Sequence, residues 1–382
     1  MSASDPGQLR LLHTADLHLG APLAWLGGQA EVRQKDFLLT FRRIIKLAIE
    51  QQVDLVLIAG DLFDHPRPEA SLFLAVQHEL ARLLENNIVP VLLPGTHDGV
   101  WGGMTPYPAD DFPGVIILDQ EFALGPIQRE INGEPVYFYG AAYRGENPAE
   151  LYQAMRRQDG EGFHLGLLHG SLQYSSQWEF RTKDLPFTLD ELNSWGLDYV
   201  ALGHYHSYQV LEQNGEVIAC YPGSPEGKKF GESGERRVAL VDIDNSGTRL
   251  RPVAVQSRIL QCLTFDMSSE PTLEALRKRL TNLADENLLL RLELIGQVDA
   301  PLDTEAICAL FDEDFFYLEL LDKTEFFDGA LVRQLAREET IAGICVRRFQ
   351  QLLVEQPENR EKIERAMKEV VLRFRDDARV SR

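Results

Sequence analysis

Short apolar runs and longer amphipathic stretches alternate along the first 255 residues. The runs Leu9–Thr14, Asp54–Ala59, Val89–Leu93, Val115–Leu118, Val136–Gly140, His164–Leu168 and Tyr199–Leu202 have strand length. Many carry β-branched residues, and turn residues usually bound them. Between them, Val32–Glu50 sets Phe37, Leu38, Phe41, Ile44, Ile45 and Ala48 along one face of a predicted helix. Near Tyr208 the pattern changes. Tyr208–Glu212 and Val217–Tyr221 flank Asn214-Gly215, and Val238–Ile243 and Leu250–Val255 flank the turn Asn245–Gly247, which predicts two β-hairpins. The expectation is an α/β layered domain over residues 1–257 whose sheets turn antiparallel late in the chain.

A second pattern begins at about Arg258. Glu274–Asn287 reads as helix, Leu288–Ile295 as strand, Thr304–Asp312 as helix and Phe315–Leu321 as strand, a compact α+β module over 258–325. Residues 326–382 read as helical, with Gln356-Pro357 separating a helix around Leu331–Leu353 from a tail helix Lys362–Phe374 in a helical hairpin. Ile363, Ala366, Met367, Val370, Val371 and Phe374 form an apolar stripe on that tail, flanked by Arg360, Lys362, Arg365, Lys368 and Arg373. The stripe is expected to bind a partner or a second copy of the chain, with packing on the chain's own domain as the alternative.

Composition adds limits. An apolar fraction of 44% and a charged fraction of 25% are those of a water-soluble globular protein. No run approaches the roughly 20 apolar residues of a membrane helix, and MSASDPGQLR lacks the order of a signal peptide. A cytoplasmic protein with no membrane contact is expected. Cys220, Cys262, Cys308 and Cys345 are isolated, which argues against a thiolate zinc site or a disulfide framework. The net charge of −21 is an obstacle to binding nucleic acid through phosphate neutralisation. Between Asp299 and Asp328 there are ten acids and one lysine, whereas Arg360–Arg382 holds eight basic residues against five acids. Either tract also reads as an ordinary solvated face.

Polar residues of ligand type recur where the apolar strands end. RLLHT runs into Asp16 and His18, DLVLIA into Asp61 and Asp64, VPVLL into Thr96, His97 and Asp98, HLGLL into His169, and YVALG into His204 and His206. In open α/β sheets, ligands bind at the carboxyl ends of strands. Each element alone is weak, since an Asp also caps helices and a lone His is often structural. The GHYH stretch is stronger, because two imidazoles at i and i+2 of extended backbone point the same way. His13, His65, His78 and His164 lack this setting. Imidazoles and carboxylates without thiolate suit Mn²⁺, Fe²⁺ or Zn²⁺. Asp16 and Asp61 with the five imidazoles of His18, His97, His169, His204 and His206 make seven candidates, too many for one ion with open positions, so a two-metal site with a bridging Asp, of the kind that cleaves phosphate esters, is expected.

In order, D-x-H, GDxxD, the G-x-H-D loop, a later H and GHxH resemble the signature of the calcineurin-like metallophosphoesterase superfamily over roughly residues 8–255. The resemblance implies a two-sheet α/β sandwich with the dinuclear site at the strand ends. It implies that Asp16, His18, Asp61 and His206 hold one ion, that Asp61, residue 96, His169 and His204 hold the other, and that His97 assists the leaving oxygen with Asp98 orienting it. Asp61-Leu62-Phe63-Asp64 followed by Pro66 and Pro68, the stretch Tyr221–Gly227 and the two C-terminal modules resemble a DNA repair branch. That branch is the nuclease subunit of the bacterial SbcCD type and, within it, YhaO-like exonuclease-related proteins. There the small module caps the active site, and the C-terminal helices dock on an SMC-like ABC ATPase. The implied function is a Mn²⁺-dependent DNA exo/endonuclease, with Fe²⁺ or Zn²⁺ as alternative ions. A small-molecule phosphodiesterase or phosphatase, or a weakly catalytic scaffold, are the other readings. The departure is Thr96, where the family pattern has Asn; a hydroxyl is a shorter and poorer donor to an ion than a carboxamide oxygen, so unequal metal sites are expected.

Overall fold

The computed structural model describes residues 7–99, 105–119, 125–140, 142, 148–173, 185–268, 272–298, 302–326 and 329–359, with positions 362, 363, 366, 367, 370, 371 and 374. The chain divides into two compact units, Met1–Leu260 and Gln261–Arg382.

The first unit is built on two six-stranded mixed sheets. In one, the order is Gly247–Ala254, Arg237–Asp244, Gln8–Thr14, Leu55–Ala59, Val89–Leu93 and Ile116–Ile117. The strands from Gln8–Thr14 to Ile116–Ile117 run parallel, and Arg237–Asp244 closes the other side antiparallel, pairing Gln8 with Asp244 and His13 with Ala239. In the other sheet the order is Gln209–Gln213, Glu216–Tyr221, Tyr199–Gly203, Phe163–His169, Glu134–Tyr139 and Ile127–Ile131. Its central strands are parallel and its two outer pairs antiparallel. Both predicted hairpins are present. Val115–Leu118 shortens to two residues, and the edge strand Ile127–Ile131 was not foreseen, because its three middle residues are exposed and polar.

Strand periodicity explains the interior. Leu9, Leu11, Leu55, Leu57, Val91 and Leu93 alternate along the first sheet and meet Val136, Phe138, Leu165, Leu167, Tyr199 and Ala201 of the second in one buried cluster. Each such Leu contributes about 1.5–3 kcal/mol by leaving water. The residues between them face the other way. Leu168, Val200 and Leu202 pack with Leu192 and Trp195 beneath the helix Leu189–Ser194, which starts in a capping box between Thr188 and Glu191. On the first sheet, Leu12, Val56 and Ile58 are buried, as are Phe41, Ile44 and Ile45 of the helix Ala30–Glu50 and Val76, Leu80 and Leu83 of Ala70–Glu85. A layered α/β unit results, with helices outside and two sheets within.

In the second unit, the strands Ile259–Asp266, Asp285–Ile295 and Phe315–Asp322 form a three-stranded sheet, the last two parallel. Its helices are Leu273–Leu283 and Thr304–Ala309. The expected long helix around Leu331–Leu353 is instead two, Gly329–Arg337 and Ile341–Glu355. Thr340 breaks it by accepting from Gly343 N through Oγ1 at 3.2 Å, an N-cap in mid-pattern, while Arg347 Nη1 donates to the carbonyls of Ala336 and Glu338 at 2.9 Å each. The tail stripe does not stand open for a partner. Met367 and Val371 are buried in one cluster with Val332, Leu335, Ala342 and Val346, with Phe374 packed beside them. Ile363 is buried and Ala366 is exposed. The apolar spacing is therefore used on the chain's own helices; Arg360, Arg365, Lys368 and Arg373 of the basic flank lie outside the described residues. No described helix is long and apolar enough to cross a membrane.

Candidate metal centre

The carboxyl ends of parallel strands from both sheets meet at one point. Gln8–Thr14 delivers Asp16 and His18, Leu55–Ala59 delivers Asp61, Val89–Leu93 delivers Thr96 and His97, Phe163–His169 ends on His169, and Tyr199–Gly203 leads to His204 and His206. The sheets touch there. His169 Nδ1 lies 2.9 Å from Ala59 O, and a Cβ on Gly60 would stand 2.1 Å from the same imidazole nitrogen. A Cβ on Gly203 would lie 1.8 Å from Ala59 O, so a side chain at 60 would displace the His169 ring and one at 203 would displace backbone.

Backbone strain concentrates at this junction. Asp16, His18, Asp61 and His204 have φ of 53°, 46°, 52° and 100°, in the left-handed half of the map where non-glycine residues are costly. Asp16 N donates to Gly60 O and His18 N to Asp61 O, which ties the two strand ends together in this conformation.

Three groups of ligand atoms converge: Asp16 with His18 and His206; His18 with Asp61 and His97; and Asp16 with Asp61 and His169. Asp61 is the hub. Its Oδ2 lies 3.7 Å from His18 Nε2 and 3.4 Å from His169 Nε2, and its Oδ1 accepts from His97 N at 2.8 Å. Asp16 accepts from His204 N with both oxygens at 3.1 Å and faces His206 Nε2 at 3.9 Å. Thr96 Oγ1 donates to Asp61 Oδ2 at 3.4 Å, so its hydroxyl proton goes to the carboxylate oxygen shared by both halves.

The donor set fits divalent ions. His18 Nδ1 lies 2.9 Å from Asp64 Oδ1, and His206 Nδ1 lies 2.9 Å from Glu232 Oε1. Glu232 accepts from His206 Nδ1, which therefore carries the proton, and the His206 Nε2 lone pair faces His18 Nε2 across 3.2 Å. Such a pair of nitrogens is held together by a cation or a proton between them. Two nitrogens each about 2.1 Å from one ion stand about 3.0–3.4 Å apart, which is this spacing. His169 repeats the arrangement: its Nδ1–H goes to Ala59 O, and its Nε2 is buried without a hydrogen-bond partner. Burial disfavours charge on His169, yet Asp61 and then Asp16 outweigh it and push the imidazole up to about 10. The centre therefore calls for positive charge. His204 is the contrary case, since burial and the His169 charge lower it to about 3.

Asp98 does not orient His97. Its Oδ1 accepts from Gly95 N at 2.7 Å, and its Oδ2 from Phe63 N at 3.0 Å and from Tyr107 Oη, so it pins the loop from below. Burial, with the charge of Asp61, raises its carboxyl to about 6. The group beside His97 is Asp64, whose carbonyl lies 3.2 Å and Oδ1 3.6 Å from His97 Nδ1. His204 falls in none of the three groups among the described residues; its ring sits 5.2 Å from that of His169, and its backbone rather than its imidazole engages Asp16. Two residues escaped sequence reading. Lys228 Nζ lies 2.8 Å from Asp64 Oδ1. Burial raises Asp64, but hydrogen bonds from His18 and Lys228 overcome it and hold the carboxyl at about 2. Glu232 is held at about 2 in the same way by His206. No spacing rule links either residue to a metal motif.

The calcineurin-like phosphoesterase family model matches residues 9–208, and the chain belongs to that family, whose members hydrolyse phosphoesters with divalent metals. It is 34% identical over 246 residues to the uncharacterized metallophosphoesterase YhaO of Bacillus subtilis, covering 62% of this chain and 58% of that protein. It is 26% identical over 310 residues to the DNA double-strand break repair protein Mre11 of Sulfolobus acidocaldarius, covering 76% of each. Against Mre11 of Methanosarcina mazei, identity is 26% over 270 residues, 69% of this chain and 41% of that one. The chain spans about half the length of most of these relatives.

Proposed function

We propose that the chain is a dinuclear phosphodiesterase acting on DNA, working beside an ATPase of the SMC-like kind. The observation that carries this reading is Asp61, one carboxylate shared between imidazoles from both sheets. The relatives named Mre11 support DNA as substrate. When bound, two divalent ions supply positive charge against the phosphoryl oxygens and a water acidic enough to attack at neutral pH. Asp16, His18, Asp61 and His206 would hold one ion; Asp61, Thr96, His169 and His204 would hold the other. His97, with Nδ1 directed at Asp64, presents Nε2 toward the departing oxygen and gives it a proton. Mn²⁺ is the first candidate ion, since hard carboxylate oxygens take it well.

The net charge of −21 favours a second reading, a small phosphodiester as substrate. The two separate in one assay: pure protein with duplex DNA and with a chromogenic phosphodiester, each in Mn²⁺ and in chelator. The proposal expects both substrates to be cut and chelator to stop both. Cleavage of the small ester alone would move the assignment to the second reading.

Thr96 gives a further expectation. A carboxamide oxygen at position 96 would reach an ion without a hydroxyl proton committed to Asp61. Thr96→Asn should lower the Mn²⁺ concentration for half-maximal activity by about tenfold. Calorimetric titration of both forms checks it; a wild type that already binds two ions with equal, tight affinity would end the argument.

A further inference from the structure

The segment Ser224–Arg236 engages His206 at two atoms, Nδ1 and the backbone carbonyl. Glu232 Oε1 takes the His206 Nδ1 proton at 2.9 Å. Arg236 Nη1 donates to His206 O at 2.6 Å, and Ser224 N donates to the same carbonyl at 3.3 Å. Arg236 Nε in turn donates to Glu232 O at 3.2 Å. Glu232 is itself locked: its Oε2 accepts from Lys228 N at 2.8 Å and lies 3.5 Å from Ser224 Oγ. Glu232 is 4% exposed and Arg236 is 6% exposed.

A carboxylate buried this deeply is costly unless its oxygens are used. Here one oxygen satisfies a turn and the other reaches the ring of a candidate ligand. We propose that Glu232 is a positioning residue for the metal centre: it fixes His206 as the Nδ1–H tautomer and aims Nε2 at the point shared with His18 and Asp16. The inference rests on the two-ion reading above. It follows from the donor inventory of imidazole, since a ring whose Nδ1–H is taken by a carboxylate presents a lone pair at Nε2. The backbone clamp from Arg236 and Ser224 sets where the ring starts, and Glu232 sets how it turns. Lys228 joins the same segment to the other imidazole, because its side chain meets Asp64 while its backbone N–H meets Glu232.

The test compares wild type, Glu232→Gln and Glu232→Leu in the full chain. Zn²⁺ is titrated calorimetrically, and nitrogen NMR of the histidines reports the tautomer in zinc-free protein. In Glu232→Leu, one of two zinc affinities should fall by about 10–100-fold and the other stay. Glu232→Gln keeps an acceptor for Nδ1–H without the charge, so it should keep the tautomer and recover most of the lost affinity. That rescue separates the hydrogen bond from mere filling of space. Should the Leu variant not fold, Glu232→Ala takes its place with the same expected loss. A wild-type His206 protonated at Nε2, or two unchanged affinities in the Leu or Ala variant, overturns the role of Glu232 and leaves the metal centre standing. A wild type that takes no zinc overturns both.

Discussion

In Asp61→Asn, divalent-ion binding should collapse at both halves of the centre, and turnover should fall by at least about 10³-fold. Loss of one electrostatic contact at a reacting group already costs about 10²–10³-fold, and Asp61 Oδ2 serves His18 and His169 at once. Burial resists its charge, but His169, then His18, more than offset that and hold the carboxyl well below the usual range. Asn keeps the oxygen that accepts from His97 N, so the loop is expected to stay in place. Its amide group points a donor at the buried Nε2 of His169, which satisfies that atom without a metal. The metal-free variant should therefore melt close to wild type, while the gain from added ion, about 2.7 kcal/mol at a hundredfold excess over Kd, should vanish. Thermal melts with and without Mn²⁺, beside metal analysis, read this directly. A variant that retains two ions with wild-type affinity would show that the shared oxygen is not the bridge.

His97→Ala should have the opposite profile. Its side chain is 45% exposed, and its hydrogen bond to Asp61 comes from the backbone N–H, which Ala retains. Both ions should stay, and turnover on DNA should fall by about 10²–10⁴-fold, the usual worth of a placed proton donor. Leaving groups separate the explanations. A nitrophenolate departs without a proton, whereas the alkoxide of a DNA strand does not. The loss should be far smaller on the chromogenic ester than on DNA. Equal losses on both would assign His97 to binding, and loss of either ion would assign it to the metals.

The strand ends made most of this centre legible in the sequence. Apolar runs of five residues ending in Gly-Asp or Gly-His announce both a buried parallel strand and a polar group at its mouth, as at Ala59-Gly60-Asp61 and Leu202-Gly203-His204. What the sequence concealed is whatever depends on distance through space. Asp64 and Asp98 look equally able to serve His97, yet Asp98 turns inward to Tyr107 and Asp64 lies beside the imidazole. Glu232 sits 26 positions from His206, between Gly231 and Ser233, with no periodicity to mark it. The tail helix misled for a related reason: an apolar stripe reports that something covers it, and here helices of the same unit do.

The antiparallel strand Arg237–Asp244 has a consequence for assembly on the ribosome. Gln8–Thr14, which leads to Asp16 and His18, is paired on one side by Leu55–Ala59 and on the other by Arg237–Asp244. Its second edge therefore stays open until almost the whole first unit has been synthesised, on the order of tens of seconds at about 5–20 residues per second. His204, His206 and Glu232 emerge in the same late interval. The nascent chain thus carries Asp16, His18 and Asp61 for most of that time without His204 and His206, and on the two-ion reading a full ligand set exists only once the domain closes.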